Sequence, residues 1–163
     1  MNNVAPAAAR HLMLLAGLAL SVLGTTACKK ENLSDDEQIK KYLSDNNITT
    51  AKIQPSGLYY VPITTNPAGT QAKAGRTVSV LYTGYLLDGS VFDASSSHGN
   101  VPITFQLGTG QVIAGWDEGI ALMRKGEKAQ LLIPAALGYG SRSAGSIPAN
   151  SVLRFEVQLT DVK

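Results

Sequence analysis

The chain has 163 residues, the length of one domain with an appendage, and its formal charge of +2 offers no basic field to hold a phosphate backbone. Nucleic acid is therefore not an expected partner. One cysteine and two histidines leave no intrachain disulfide, thiolate zinc site or histidine metal cluster, and no Gly-x-Ser-x-Gly elbow accompanies His98 to suggest hydrolase chemistry.

From the start of the chain, Arg10 and His11 precede an apolar run, Leu12 to Gly24. A bilayer-spanning helix needs about 20 apolar residues, so this run has instead the length of a signal-peptide core. Gly24-Thr25-Thr26-Ala27 then brings small residues up to Cys28. The segment resembles a bacterial lipoprotein signal, in which the cysteine is lipidated and becomes the first residue of the mature protein. Ala27 fits that pattern, whereas Thr25 stands where Leu is usual. The resemblance implies a signal peptide over residues 1–27, lipid attachment at Cys28, and residence in the bacterial cell envelope. There the protein would be anchored to a membrane, the outer one, facing the periplasm or the surface. The alternative is an ordinary secretory leader with an incidental cysteine.

Residues 28–55 read as a tether carrying one short helix. Ser34-Asp35-Asp36-Glu37 is a capping box, with a Ser N-cap and Glu three residues on. It opens a helix over Asp35 to about Asp45, with Ile39, Tyr42 and Leu43 on one face, and Asn46-Asn47 ends it. Three turns are marginal alone, so the helix is expected to lie on the side of the domain rather than to act as a dimerisation arm.

From Ser56 the periodicity becomes that of strands. Residues 57–63 form one that Pro62 confines to an edge or a strand end. Thr77 to Thr83 is β-branched, with Val78, Val80 and Tyr82 on one side, and Asp88-Gly89 turns it back into Ser90-Val91-Phe92. Residues 102–107 alternate again, and Lys128 to Ile133 is a strand halted by Pro134. In the last strand Leu153, Phe155, Val157 and Leu159 face inward. One helix interrupts the strands, Val112 to Met123, where Ile113, Trp116, Ile120 and Met123 recur at helical spacing. Gly115 and Gly119 each weaken it by about 1 kcal/mol relative to Ala, which implies close approach of helix to sheet. The predicted class is α+β: an antiparallel curved sheet wrapped around one short α-helix, with a short helix ahead of it.

Four ordered blocks carry a second resemblance: Val80 to Asp93, Phe105 to Gly119, Leu132 to Gly140, and Ile147 to Asn150 leading into the Phe155 strand. Over residues 56–163 the chain resembles the FKBP-type prolyl isomerases, in order and in spacing. The resemblance implies that Trp116 floors a proline pocket walled by Tyr82, Phe92, Phe105, Val112, Ile113 and Phe155. The Ile113 N–H and the Tyr139 hydroxyl would bond substrate carbonyls, and Asp93 would sit at the edge near Tyr82. The family often has two bulky apolar residues where this chain has Ser146-Ile147, so only Ile147 is retained. The loop 141–145 is also short and small.

Taken singly, these residues have plainer readings. Phe105, Phe155 and Trp116 are core-type aromatics, Tyr82 and Tyr139 edge tyrosines, and Asp93 a turn residue. Their joint arrangement sets them apart. What the resemblance implies is a peptidyl-prolyl cis-trans isomerase acting on proline-containing exported polypeptides, with macrolide immunosuppressants as further ligands and no cofactor or metal. A non-catalytic, chaperone-like binding module using the same pocket is the alternative.

Overall fold

The computed structural model describes residues 33–163. The apolar run and Cys28 lie outside the described residues. Helix α1 is Asp35–Asp45, and its capping box is formed: the Glu37 N–H donates to Ser34 Oγ, and Glu37 Oε2 accepts from the Ser34 N–H at 2.8 Å. Asn46 caps its end, and Asn47 takes a φ of 55°, a left-handed value that Asn tolerates. Ile39 and Leu43 bury themselves against Tyr59, Val61, Leu132 and Val152, so α1 lies on the sheet as expected. Two such side chains supply on the order of 3–5 kcal/mol of apolar burial, more than an isolated three-turn helix has of its own.

The strands are β1 Lys52–Ile53, β2 Tyr59–Thr64, β3 Thr77–Leu86, β4 Val91–Ala94, β5 Ile103–Gln106, β6 Lys128–Ile133 and β7 Leu153–Val162. All pair antiparallel, in the order β1-β2-β6-β7-β3-β4, with β5 also on β3. Pro62 lies beyond the end of β1, which pairs only Tyr59 and Tyr60, so no neighbour on that side needs its missing N–H. Strand β3 runs three residues past the predicted end at Thr83, because β7 continues to pair with it as far as Leu86↔Leu153. On its other side β3 takes β5 along Thr77–Val80 and β4 along Thr83–Tyr85. β6 and β7 are apolar on the concave side, and their outer face is partly roofed by α1. Arg154, whose side chain alternates to that outer face, therefore has only 11% of its side chain exposed and stacks 3.6 Å from the Tyr85 ring centroid.

The second helix, α2 (Ala114–Ala121), crosses the concave face and is shorter than the predicted 112–123. The reason is local. Asp117 accepts the N–H groups of Gly108 (2.8 Å) and Gly110 (3.0 Å), both glycines at positive φ, which holds 108–112 as a loop and leaves Ile113 extended. The close approach implied by the glycines is present. A Cβ on Gly115 would stand 2.5 Å from Ile133 Cγ2, and one on Gly119 would stand 2.7 Å from Leu131 Cδ1. Trp116, Ile120 and Met123 thereby enter the main core beside Val78, Leu131 and Leu159.

Candidate active site

Between α2 and the concave end of β3, β4 and β7 lies a cleft of about 660 Å³. Its floor is Trp116, 4% exposed, whose indole Nε1 is buried without a partner among the described residues. Around it the aromatic rings stand edge to face. Tyr82 lies 5.1 Å from the Trp116 ring at 77°, Phe155 lies 5.2 Å away at 80°, and Phe92 meets Phe155 at 5.3 Å and 84°. Such arrangements set the positive edge of one ring on the negative face of another. Alternation along β7 and β3 aims Phe155 and Tyr82 inward, and the loop held by Asp117 delivers Val112 and Ile113 to the near wall.

Gly84 makes this packing possible. A Cβ there would fall 2.5 Å from Phe92 Cε2 and 2.8 Å from Phe155 Cε1, so only glycine lets both rings close over β3.

The polar groups sit at the edge. The Tyr82 hydroxyl donates to Asp93 Oδ2 at 2.6 Å, the Ala94 N–H donates to Asp93 Oδ1 at 2.8 Å, and His98 Nε2 lies 2.9 Å from the same oxygen. The Tyr82 bond, aided by His98 and the Ala94 N–H, holds the Asp93 carboxyl below the usual carboxylate range. Burial, and then the bond to Asp93, pushes Tyr82 up to about 12. At neutral pH the pair is thus a neutral phenol clasping an ionised carboxylate. Across the mouth stands Tyr139, 41% exposed, and no protein acceptor or donor engages its hydroxyl among the described residues. The Ile113 N–H is likewise unpaired there, while its carbonyl caps α2 by accepting from Trp116 at 2.9 Å. The cleft therefore offers an apolar slot with two free donors at its rim.

Tyr82, Asp93, Trp116, Tyr139, Phe92, Val112, Ile113, Ile147 and Phe155 all line this one cleft. Phe105 does not. It sits behind Trp116, with ring centroids 6.0 Å apart, and supports the floor from within the core. Ile147 is buried, and the departure at Ser146 touches only the rim. There Gly145 and Ser146 form the two-residue tip of a hairpin closed by Ala144 and Ile147, with Gly145 at a φ of 57°. Ala144, Gly145 and Ser146, where the sequence departs from the family, also line the cleft; Ile103 and Gln111 line it too and His98 braces Asp93, three residues to which the sequence gives no site role. Gly84 alone carried a legible signal, a glycine inside a β-branched strand.

The site is an aromatic slot between a curved antiparallel sheet and a short helix, with unengaged hydrogen-bond donors at its mouth and the Tyr82–Asp93–His98 cluster at its edge. The sequence profile described as FKBP-type peptidyl-prolyl cis-trans isomerase matches residues 68–160. The chain belongs to that family, and the domain is a peptidyl-prolyl cis-trans isomerase. It is 52% identical over 92 residues to FK506-binding protein 2 of Debaryomyces hansenii, covering 56% of this chain and 67% of that one. The crystal structure of FkpA from Escherichia coli superposes with a TM-score of 0.70 at 36% identity, covering 80% of this chain and 59% of that one. The crystal structure of AtFKBP13 gives 0.64 at 37%, covering 69% and 98%. The chain spans only 31% and 19% of two longer fungal relatives, each named FK506-binding protein 4.

Proposed function

We propose that this chain isomerises X–Pro bonds of exported polypeptides in the Trp116 cleft while anchored to the cell envelope through Cys28. The observation that carries the catalytic part is the Trp116 floor, enclosed by Tyr82, Phe92 and Phe155, with the Ile113 N–H and Tyr139 hydroxyl unengaged at its rim.

Rotation about an X–Pro bond faces a barrier of about 18–20 kcal/mol set by amide resonance, and unaided it takes tens to hundreds of seconds. The twisted amide has lost that resonance and is less polar than the planar one. An apolar slot that holds the proline ring disfavours the planar form more than the twisted one. The Ile113 N–H fixes one flanking carbonyl, and the Tyr139 hydroxyl holds another in the twisted geometry. A thousandfold gain asks for only about 4 kcal/mol of differential stabilisation, within reach of a few such contacts. No proton is transferred, which agrees with Tyr82 and Asp93 being committed to each other.

The same slot would accept FK506, the ligand that the relatives' names record, with its ring over Trp116. Competition tests this directly. FK506 added to the chain should abolish its acceleration of a short proline peptide in a saturable, stoichiometric way, and undiminished turnover at saturating ligand counts against the cleft as the site. A binding module without turnover is the second reading, favoured by the exposed Ser146 at the rim; ligand binding by a chain that does not accelerate the peptide would select it.

Support for the anchor is the apolar run 12–24 with Cys28 four residues on. A lipid-modified cysteine carrying more than one hydrocarbon chain gives the stable attachment that a single chain does not. The curated relatives that match include fungal and plant proteins, so the bacterial lipoprotein reading rests on this segment. Intact mass of the protein from its native membrane should show a lipidated N-terminal Cys28; an unmodified cysteine overturns it.

A further inference from the structure

Read from the sequence, α1 is a spacer, but its first turn reaches the segment that presents Tyr139. Asp35 Oδ2 accepts the Ala135 N–H at 2.8 Å across 100 residues of chain. Ala135 is buried and follows Pro134, where β6 has ended and the chain bends toward the cleft. Its carbonyl accepts the N–H groups of Gly138 at 3.0 Å and Gly140 at 2.8 Å, the two residues that flank Tyr139. A single residue thus organises the turn: its carbonyl gathers both neighbours of Tyr139, and its N–H is held by Asp35.

The turn's other holds are backbone bonds and one apolar anchor. The Leu137 N–H donates to the Pro134 carbonyl, the Arg142 N–H to the Tyr139 carbonyl at 3.3 Å and the Asn150 N–H to the Gly140 carbonyl, Leu137 packs on the main core, and no strand pairs with residues 135–140. Among the described residues Asp35 is the one side chain that hydrogen-bonds this turn. Asp35 is itself well placed to resist movement. Ile39 and Leu43 bury α1 on the sheet, and the next residue, Asp36, accepts the Tyr59 hydroxyl at 2.6 Å. A hydrogen bond to a carboxylate is stronger than one between neutral groups, and its loss would leave a buried N–H without a partner.

We propose that Asp35 is a positioning residue for the isomerase: through Ala135 it locks the turn that holds Tyr139 at the mouth of the cleft, which makes α1 part of the active-site scaffold. The inference rests on the role assigned to Tyr139 above.

Amide hydrogen exchange on the whole chain, beside peptide isomerisation, tests it. In Asp35→Ala, exchange at Gly138 and Gly140 should speed up about tenfold relative to Val157 in β7. Asp35→Asn, which keeps an acceptor oxygen, should restore most of the protection. Asp36→Ala loosens the same helix turn without touching Ala135 and should leave the Gly138 and Gly140 ratio to Val157 unchanged. In kinetics, Asp35→Ala should lower kcat with little change in KM, and in a Tyr139→Phe background it should have no further effect. Unchanged exchange at Gly138 and Gly140, an equal rise at all amides, or additive kinetic losses would each overturn the proposal. If the parent chain shows no isomerisation while exchange behaves as expected, the tether stands as a fixture of the turn, and the isomerase reading and the positioning role fall together. If the parent is active and Asp35→Ala changes nothing, the positioning role alone falls.

Discussion

The Tyr82 hydroxyl donates to Asp93 Oδ2 at 2.6 Å and so ties β3 to β4 at the edge of the cleft, next to the Gly84↔Asp93 register pair. Tyr82→Phe removes this bond and leaves the ring, which packs on Trp116, in place. The expected cost is about 1.5–3 kcal/mol in urea unfolding, the usual net worth of a hydrogen bond to a charged group. A loss several times larger would mean that the phenol also holds the aromatic floor together.

Asp93 gives this bond a pH signature. Its carboxyl is held low first by Tyr82 and then by His98 and the Ala94 N–H. A carboxylate with a lowered folded pKa contributes stability above its unfolded value, about 3.9, and loses it as pH falls through the folded value. With 42% of the side chain exposed, solvent screens much of the effect. Urea midpoints taken from pH 6 downward should therefore fall slightly less steeply for Asp93→Asn than for the parent. Identical slopes would place the acid sensitivity elsewhere.

At the alkaline end the sign reverses. Burial pushes Tyr59, Tyr60 and Tyr82 up to about 12, so the folded state favours the neutral phenol. That stability is complete below the ordinary tyrosine value of about 10 and is lost as pH rises toward 12. Ultraviolet titration should show Tyr59, Tyr60 and Tyr82 ionising late, together with unfolding. The absence of any late phase, with Tyr59, Tyr60 and Tyr82 ionising near pH 10 in the folded protein, would contradict this.

The two glycines of α2 differ in what they face. At Gly115 an added methyl meets Ile133 Cγ2, a branch fixed at the Cβ of a fully buried side chain; at Gly119 it meets the tips of Leu131. Helix propensity returns about 1 kcal/mol for Gly→Ala, against an overpacking cost of about 1–3 kcal/mol. Gly115→Ala should be clearly destabilising, and Gly119→Ala nearer neutral because a leucine tip can turn aside. Thermal unfolding ranks them, and the reverse order would refute the packing argument.

Gly84→Ala tests the cleft rather than the core alone. The methyl would displace Phe92 and Phe155, both of which line the slot. Activity should fall with KM rising, even in variants that remain folded at the assay temperature. An unchanged KM would show that these rings do not contact the proline.

Much of this was legible because period and punctuation agree along the chain. The capping box at Ser34, the Asp88-Gly89 turn and the alternation of β7 each appear where the residues place them. The paired glycines of α2 announced the close approach of helix to sheet. Less legible were features that depend on a distant partner. Strand β3 is longer than its own pattern because β7 extends it. Phe105 and Ile103 both lie on β5, yet one backs the Trp116 floor and the other lines the cleft, a difference that alternation along the strand does not encode. His98 reaches Asp93 only because the 3₁₀ turn Ser95–His98 folds back after β4. No local periodicity encodes that return.

In the proposed mechanism, Trp116 and the rings around it form the slot in which the prolyl amide is twisted. The most direct measurement of this is the cis–trans exchange rate of a short X–Pro peptide, with the parent chain and with Trp116→Leu, each shown folded by circular dichroism. Strong acceleration by the parent is expected, with a loss of about tenfold or more in the variant, the rate equivalent of about 1.4 kcal/mol of transition-state stabilisation. A folded parent that leaves the rate unchanged, or a Trp116→Leu chain as fast as the parent, would contradict it.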